Sequence, residues 1–291
     1  MKKILSLLAI LWSITVSSQT THLDNDSTYF YWTSQIEETD AAVVDTALMS
    51  IATNMHTNAL PFLGRVIANT PREYSSRIFQ DSVEIIKSWD IGEFIYYASI
   101  RKKEGDVSKI LWYRNAYPRA FFYLGFVYNH VGEYAIARSY LQKGQELEPT
   151  NPRFWKEIGF SYSEEKNYTE ALECYSHVNS INKFTQPEIF ASVLRAKGYC
   201  YIELDQLVDA RQCYTESLKY APENALAKNQ LEYINHLESG GEKRPTQITT
   251  TISNTLTCFL CKQEAVEIRF IELRGVPFRI CKACLEEARK K

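Results

Sequence analysis

The chain has 291 residues, with 33 lysines and arginines, 35 aspartates and glutamates, and a formal net charge of −2 at pH 7. A chain this close to neutrality has no excess of positive charge with which to attract nucleic acid or an anionic membrane surface. Its seven cysteines are unevenly placed, and four of them fall between residues 258 and 291.

The amino terminus has the order of a secretory signal. Lys2 and Lys3 precede an apolar run from Ile4 to Val16, and small residues follow before Gln19. This order predicts a cleavable signal peptide at residues 1–18, and therefore a secreted or periplasmic protein with no stable membrane anchor, because the run is too short to span a bilayer. The alternative is a buried first helix in a cytoplasmic protein.

Residues 20–117 carry the weakest patterns of the chain. Two apolar stripes at helical spacing predict that this region is helical. The first stripe consists of Val43, Val44, Ala47, Leu48 and Ile51, and the second of Val83, Ile85, Ile86 and Trp89. A degenerate copy of the repeat that follows is predicted near residues 91–117, from Phe94, Tyr97, Ala98 and Gly105.

The middle of the chain repeats itself with a period of 34 residues. The copies occupy residues 118–151, 152–185 and 191–224, and five extra residues around 182–187 displace the third copy. Gly125, Gly159 and Gly198 hold the same place in each copy, where a residue without a side chain lets two helices approach closely. An apolar stripe over residues 224–237 predicts a capping helix, so the repeat region extends over residues 118–238.

These matched small and aromatic residues resemble tetratricopeptide repeats. The resemblance implies a mainly α fold, in which helical hairpins stack into a superhelix. An ordinary helical bundle with recurring apolar stripes is the alternative.

The resemblance also implies a groove lined by the first helix of each repeat, with an extended peptide or a partner helix as its ligand. Phe122 and Phe126 stand where the co-chaperone subfamily has Lys and Asn, which argues against capture of chaperone tails. For these two side chains, packing against the preceding region is an equally weighted alternative to ligand contact. The predicted groove residues are Arg119, Phe122, Tyr123, Phe126, Asn129, Arg153, Lys156, Phe160, Arg195 and Tyr199.

Residues 239–256, rich in small and polar side chains, predict a flexible linker to a module at residues 257–291. In that module Cys258 and Cys261 form one Cys-x-x-Cys pair, and Cys281 and Cys284 form a second. The spacing is that of a closed structural zinc site. Disulfides and a redox-active pair are alternatives to zinc. Nucleic-acid binding is a weak alternative, because the module has only a small excess of positive charge.

Alternating apolar residues between the two pairs predict a hairpin, and a helix follows Cys284, which together describe a treble clef. The module resembles the amino-terminal zinc domain of ClpX-type unfoldases, and this resemblance implies dimerisation or a second interaction surface. The chain has no Gly-Lys step, so the phosphate-cradling loop of the unfoldase motor is absent.

The five histidines are scattered, and no arrangement typical of a nucleophile and its base occurs. We therefore expect a non-enzymatic interaction scaffold whose repeat groove holds a protein partner and whose tail binds structural zinc. The alternative is an envelope protein that exchanges disulfides through its Cys-x-x-Cys pairs.

Overall fold

The computed structural model describes residues 30–31, 35–53, 55–80, 82–106 and 109–243, together with the strand segments 256–257, 264–265, 268–273 and 276–281. Side chains are described only between residues 36 and 243, so the predicted signal peptide lies outside the described residues. None of the helices in the described part of the chain combines the length and the apolar character that crossing a bilayer requires.

The amino-terminal part combines helices with a four-stranded sheet, which we call the sheet unit. The strand order is β1-β4-β3-β2, with β4 parallel to both β1 and β3, and β2 antiparallel to β3. Its elements are β1 (Phe30–Tyr31), α1 (Gln35–Ala52), a 3-10 turn (His56–Ala59), α2 (Leu60–Ala68), β2 (Arg77–Gln80), β3 (Val83–Ser88), α3 (Ile91–Lys103) and β4 (Lys109–Arg114).

The prediction that residues 20–117 are all helical is therefore wrong. The stripe that begins at Val43 does lie on a helix, α1, but the one that begins at Val83 is strand β3. Glu84, Ile85 and Ile86 are all buried in succession, because a central strand is covered on both faces and loses the alternation by which a strand is recognised.

The predicted repeat near residues 91–117 is wrong as well. Helix α3 begins at the position predicted for that repeat, and the Asp90 side chain caps it by accepting the N–H of Glu93 at 2.9 Å. Its apolar face, with Phe94 and Tyr97, packs on the sheet instead of on a second helix. The chain then returns as β4, parallel to β3, so α3 is the crossover helix of a βαβ unit.

Three helix pairs and a final helix form the predicted helical-hairpin array. The first pair is α4 (Tyr117–His130) and α5 (Tyr134–Leu147), the second is α6 (Pro152–Glu164) and α7 (Tyr168–Ser176), and the third is α8 (Pro187–Glu203) and α9 (Leu207–Tyr220), with α10 (Ala225–Glu238) after them.

The repeated glycines bring the paired helices together, as predicted. A Cβ placed on Gly125 would lie 2.4 Å from Leu141 Cγ, and one on Gly159 would lie 2.4 Å from Tyr175 Cε1. Tyr175 is only 2% exposed, so its ring fills the space that the glycine leaves. A glycine on the first helix faces a bulky side chain on the second in each of these hairpins, so the two helices pack at the same close distance in each.

The five-residue insertion before α8 attaches the sheet unit to the array. Phe184 lies 5.5 Å from the ring of Tyr97, and the guanidinium of Arg77 stands over Phe184 at 5.4 Å. The hydroxyl of Tyr96 donates to the carbonyl of Thr185 at 3.4 Å. The insertion that breaks the repeat register is thus a contact between the two parts of the chain.

Near the carboxyl end, β5 (Leu256–Thr257) pairs with β6 (Glu264–Ala265), and β7 (Ile268–Leu273) forms an antiparallel hairpin with β8 (Val276–Cys281). This is the hairpin that the alternating apolar residues predict. The side chains of the four predicted zinc ligands, Cys258, Cys261, Cys281 and Cys284, lie outside the described residues.

The glycine contacts allow a test of the array. Gly159→Ala forces a methyl group against the buried Tyr175 ring, and we expect it to lower the free energy of unfolding by about 1–3 kcal/mol. Thermal and urea unfolding of the variant measure this loss. Gly92→Ala is the matched control, since only Asp90 Oδ1 lies near its added Cβ, at 3.0 Å. Equal stability of the two variants would contradict the close-approach explanation.

Candidate functional site

Two neighbouring cavities lie along the face formed by α4, α6 and α8, which we call the groove. The first has a volume of about 420 Å³ and the second of about 270 Å³. Among the predicted groove residues, Arg119, Phe122, Tyr123, Arg153 and Lys156 line the first cavity, and Phe126, Asn129, Lys156 and Phe160 line the second. Eight of the ten predicted groove residues therefore line one or both of these cavities.

The sheet unit forms one wall of the first cavity. Leu48 of α1 and Trp89, just before α3, both line it. The Trp89 ring lies edge-on to Phe122, with ring centroids 4.9 Å apart. Phe122 therefore contacts the region before the repeats and also lines the cavity, so the structure is compatible with both packing and ligand contact for this side chain.

Both arginines of the first cavity are engaged in ion pairs within the chain. Arg119 is buried and its guanidinium bonds Asp45 of α1. Arg153 pairs with Glu93 of α3 at 2.7 Å and lies over the Trp89 ring at 4.7 Å from its centroid. These side chains connect the sheet unit to the array. Glu93 balances the charge of Arg153, whereas Arg119 shares the single carboxylate of Asp45 with Arg114 and leaves a net positive charge in this wall.

The second cavity has a more apolar lining than the first. Phe160 is 39% exposed there, and Phe126 lies 6.2 Å from the ring of His56 in the 3-10 turn. Asn129 is buried and its amide donates to both the backbone and the side-chain oxygen of Glu157 at 3.2 Å. Asn129 therefore ties α4 to α6 rather than presenting its amide to a ligand.

Lys156 lines both cavities, whereas Arg195 and Tyr199 line neither of them. The ring of Tyr199 packs edge-on against Tyr168 at 6.1 Å, and burial raises the pKa of Tyr199 well above its usual value. Arg195 is half-buried on α8, and this burial lowers the pKa of its guanidinium. Tyr199 thus belongs to the packing around α8, whereas Arg195 has a buried Nη1 with no hydrogen-bond partner among the described residues.

Glu148 forms the joint between the sheet unit and the array, and sequence reasoning did not find it. One carboxylate oxygen accepts the Trp89 indole N–H and the Asn151 amide, each at 2.8 Å, and the other accepts the Asn115 amide. Burial, and secondarily repulsion from Glu93, raise the pKa of Glu148 to about 7. Its only sequence signal is a glutamate directly before the proline that ends α5.

The raised pKa makes the joint sensitive to pH. The pKa of an unfolded glutamate is about 4.5, so the folded protein binds more protons between pH 4.5 and pH 7. The free energy of unfolding therefore falls as the pH rises through this window, by at most about 3 kcal/mol, and is constant above it. The neutral form of Glu148 favours the docked state.

Glu148→Gln imitates the neutral carboxyl, and we expect it to remove this pH dependence and to raise the thermal midpoint above pH 7. The buried Oδ1 of Asn115 has no hydrogen-bond partner in the described part of the chain, so rotation of that amide offers the new glutamine an acceptor. Thermal unfolding from pH 5 to pH 8.5 measures the change. Glu170→Gln, on the exposed side of α7, is the control. If the thermal midpoint changes with pH to the same extent in both variants, Glu148 is not the source of the pH dependence.

Comparison with known proteins agrees with the repeat geometry. Residues 191–224 match the family model described as a tetratricopeptide repeat, and they are the third predicted copy. Residues 191–224 are therefore similar to a tetratricopeptide repeat, and two further helix pairs of the same build precede them.

Several solved structures are similar to parts of this chain. The first such domain of Spaghetti (RPAP3), bound to an HSP90 peptide, is 21% identical over 42% of this chain and 93% of its own, with a TM-score of 0.38. A MamA RS-1 double mutant is 14% identical to this chain; the match covers 68% of this chain and 85% of that one, with a TM-score of 0.41. A thermophilic repeat protein of Thermus thermophilus is 13% identical to this chain; the match covers 67% of this chain and 98% of that one, with a TM-score of 0.37. Because these TM-scores are low, the similarity to tetratricopeptide repeats rests on the helix pairs and on the match of residues 191–224.

Proposed function

We propose that this protein is a non-enzymatic scaffold that holds a segment of a partner protein in the groove. The observation that carries this proposal is the pair of adjoining cavities, with aromatic walls, on the face that the repeats share. Aromatic side chains in concave, partly exposed positions supply most of the binding energy at protein interfaces. Phe122 and Phe126 replace the Lys and Asn of the co-chaperone subfamily, so the partner we propose is not a chaperone tail.

The groove proposal is tested with the full chain and a displayed library of random peptides. We expect specific peptides to emerge, and Phe160→Ala to weaken their binding about tenfold, the cost of removing an interface anchor. Fluorescence anisotropy with labelled peptides measures the affinity. Val208→Ala on α9 is the control, because this apolar side chain is 77% exposed and lines neither cavity.

Two results would count against the groove. One is the failure of any specific peptide to emerge from the library. The other is the selection of peptides whose affinity is the same for Phe160→Ala, Phe126→Ala and the unaltered chain.

We further propose that Cys258, Cys261, Cys281 and Cys284 hold one structural zinc ion and that the module around it supplies a second interaction or dimerisation surface. Support comes from the four-thiol donor set and from the β7–β8 hairpin, which spans the chain between the two pairs. A tethered second surface would raise the avidity of the scaffold without new contacts in the groove. We also propose export through the signal-like segment at residues 1–18.

Metal analysis of the purified chain separates zinc from disulfide exchange. We expect about one zinc per chain and four thiols that react with a thiol reagent only after chelation, because metal-bound thiolates are protected. The other three cysteines provide an internal reference: Cys174, Cys200 and Cys213 are free, and burial raises the pKa of each to about 11. Metal-free protein with a titratable dithiol would favour the alternative, a thiol-exchange protein.

A further inference from the structure

Most of the charged groups that line the first cavity already have partners. The two arginines are paired with Asp45 and Glu93, as described above. The Asp90 carboxylate caps α3, and the Glu157 carboxylate accepts the Asn129 amide at 3.2 Å. Lys156, by contrast, forms none of the salt bridges found between the described side chains. Its ammonium group adds to the positive charge that Arg114 and Arg119 leave around the Asp45 they share.

Lys156 lies where the two cavities meet, and both cavities are lined by Lys156 and by Glu157. Along α6 the first cavity extends from Arg153 to Glu157 and the second from Lys156 to Phe160. The cavities therefore lie about one helical turn, ~5 Å, apart. A ligand that fills both with apolar side chains must pass the Lys156 ammonium on its way.

The neighbouring acid, Glu157, does not offer an equivalent site for a cation. It is 9% exposed, and burial raises its pKa, which disfavours the charged form. Its oxygen is already bonded to Asn129. Attraction from Lys156 opposes this shift in the Glu157 pKa, but burial has the larger effect. Lys156 would thus repel a cationic ligand, whereas a carboxylate would gain a charge-assisted hydrogen bond from it.

We propose that the partner segment is an acidic peptide that places one apolar side chain in each cavity and a carboxylate on Lys156. The first apolar side chain contacts Trp89 of the sheet unit as well as the repeats, so a residue outside the repeat array contributes to selection. This inference rests on the proposed groove function and specifies the chemistry of its ligand.

The test is a charge exchange between the full chain and the peptides selected on it. We expect an acidic residue between the apolar positions of those peptides. Replacing it with lysine, or making Lys156→Glu, should each weaken binding about tenfold to a hundredfold, the range for breaking one charged pair at an interface. Combining the lysine peptide with Lys156→Glu should restore at least part of the affinity.

Lys143→Glu on α5 is the matched control, because this exposed lysine lines neither cavity and should leave binding unchanged. The thermal midpoint of Lys156→Glu should equal that of the unaltered chain. Groove-dependent peptides without an acid, or lack of rescue in the exchanged pair, would overturn the acidic-peptide inference but leave the groove function standing. Absence of any groove-dependent peptide would overturn both.

Discussion

The docking of the sheet unit against the repeats depends on one buried carboxylate. Glu148 receives hydrogen bonds from an indole before α3, an amide between β4 and α4, and an amide between α5 and α6. Three separate parts of the chain therefore meet at a single acceptor. A buried carboxylate is costly unless its oxygens are satisfied, so this arrangement favours one relative position of the sheet unit over all others.

The same position shapes the groove. The hydrogen bond to Glu148 fixes the Trp89 ring. In this position the ring contacts Phe122 and lines the first cavity. The insertion around Phe184 supplies a second point of attachment at the α7–α8 connection. Two attachments separated along the array resist rotation better than one. The first cavity is consequently a space between two folded parts, which an isolated repeat array would lack.

The repeats could be predicted from the sequence because their contacts are local. Each glycine meets its bulky partner within the same hairpin, 16 residues further on for Gly159 and Tyr175, so a fixed period records the contact directly. The groove residues on α4 and α6 follow from that register. Tyr199 fits the same register, yet packing against neighbouring helices, which no periodicity reports, removes it from the cavities.

The sheet unit could not be predicted in the same way. Its central strand is covered on both faces, and the apolar face of α3 has the spacing of a repeat helix although it packs on strands. Trp89 and Glu148 are 59 residues apart in sequence, and nothing in either neighbourhood signals the other. Contacts between parts of a chain with different periodicities are set by tertiary packing alone. For that reason the wall that Trp89 adds to the first cavity emerged only from the folded chain, whereas the groove residues on α4 and α6 were predicted from the repeat register.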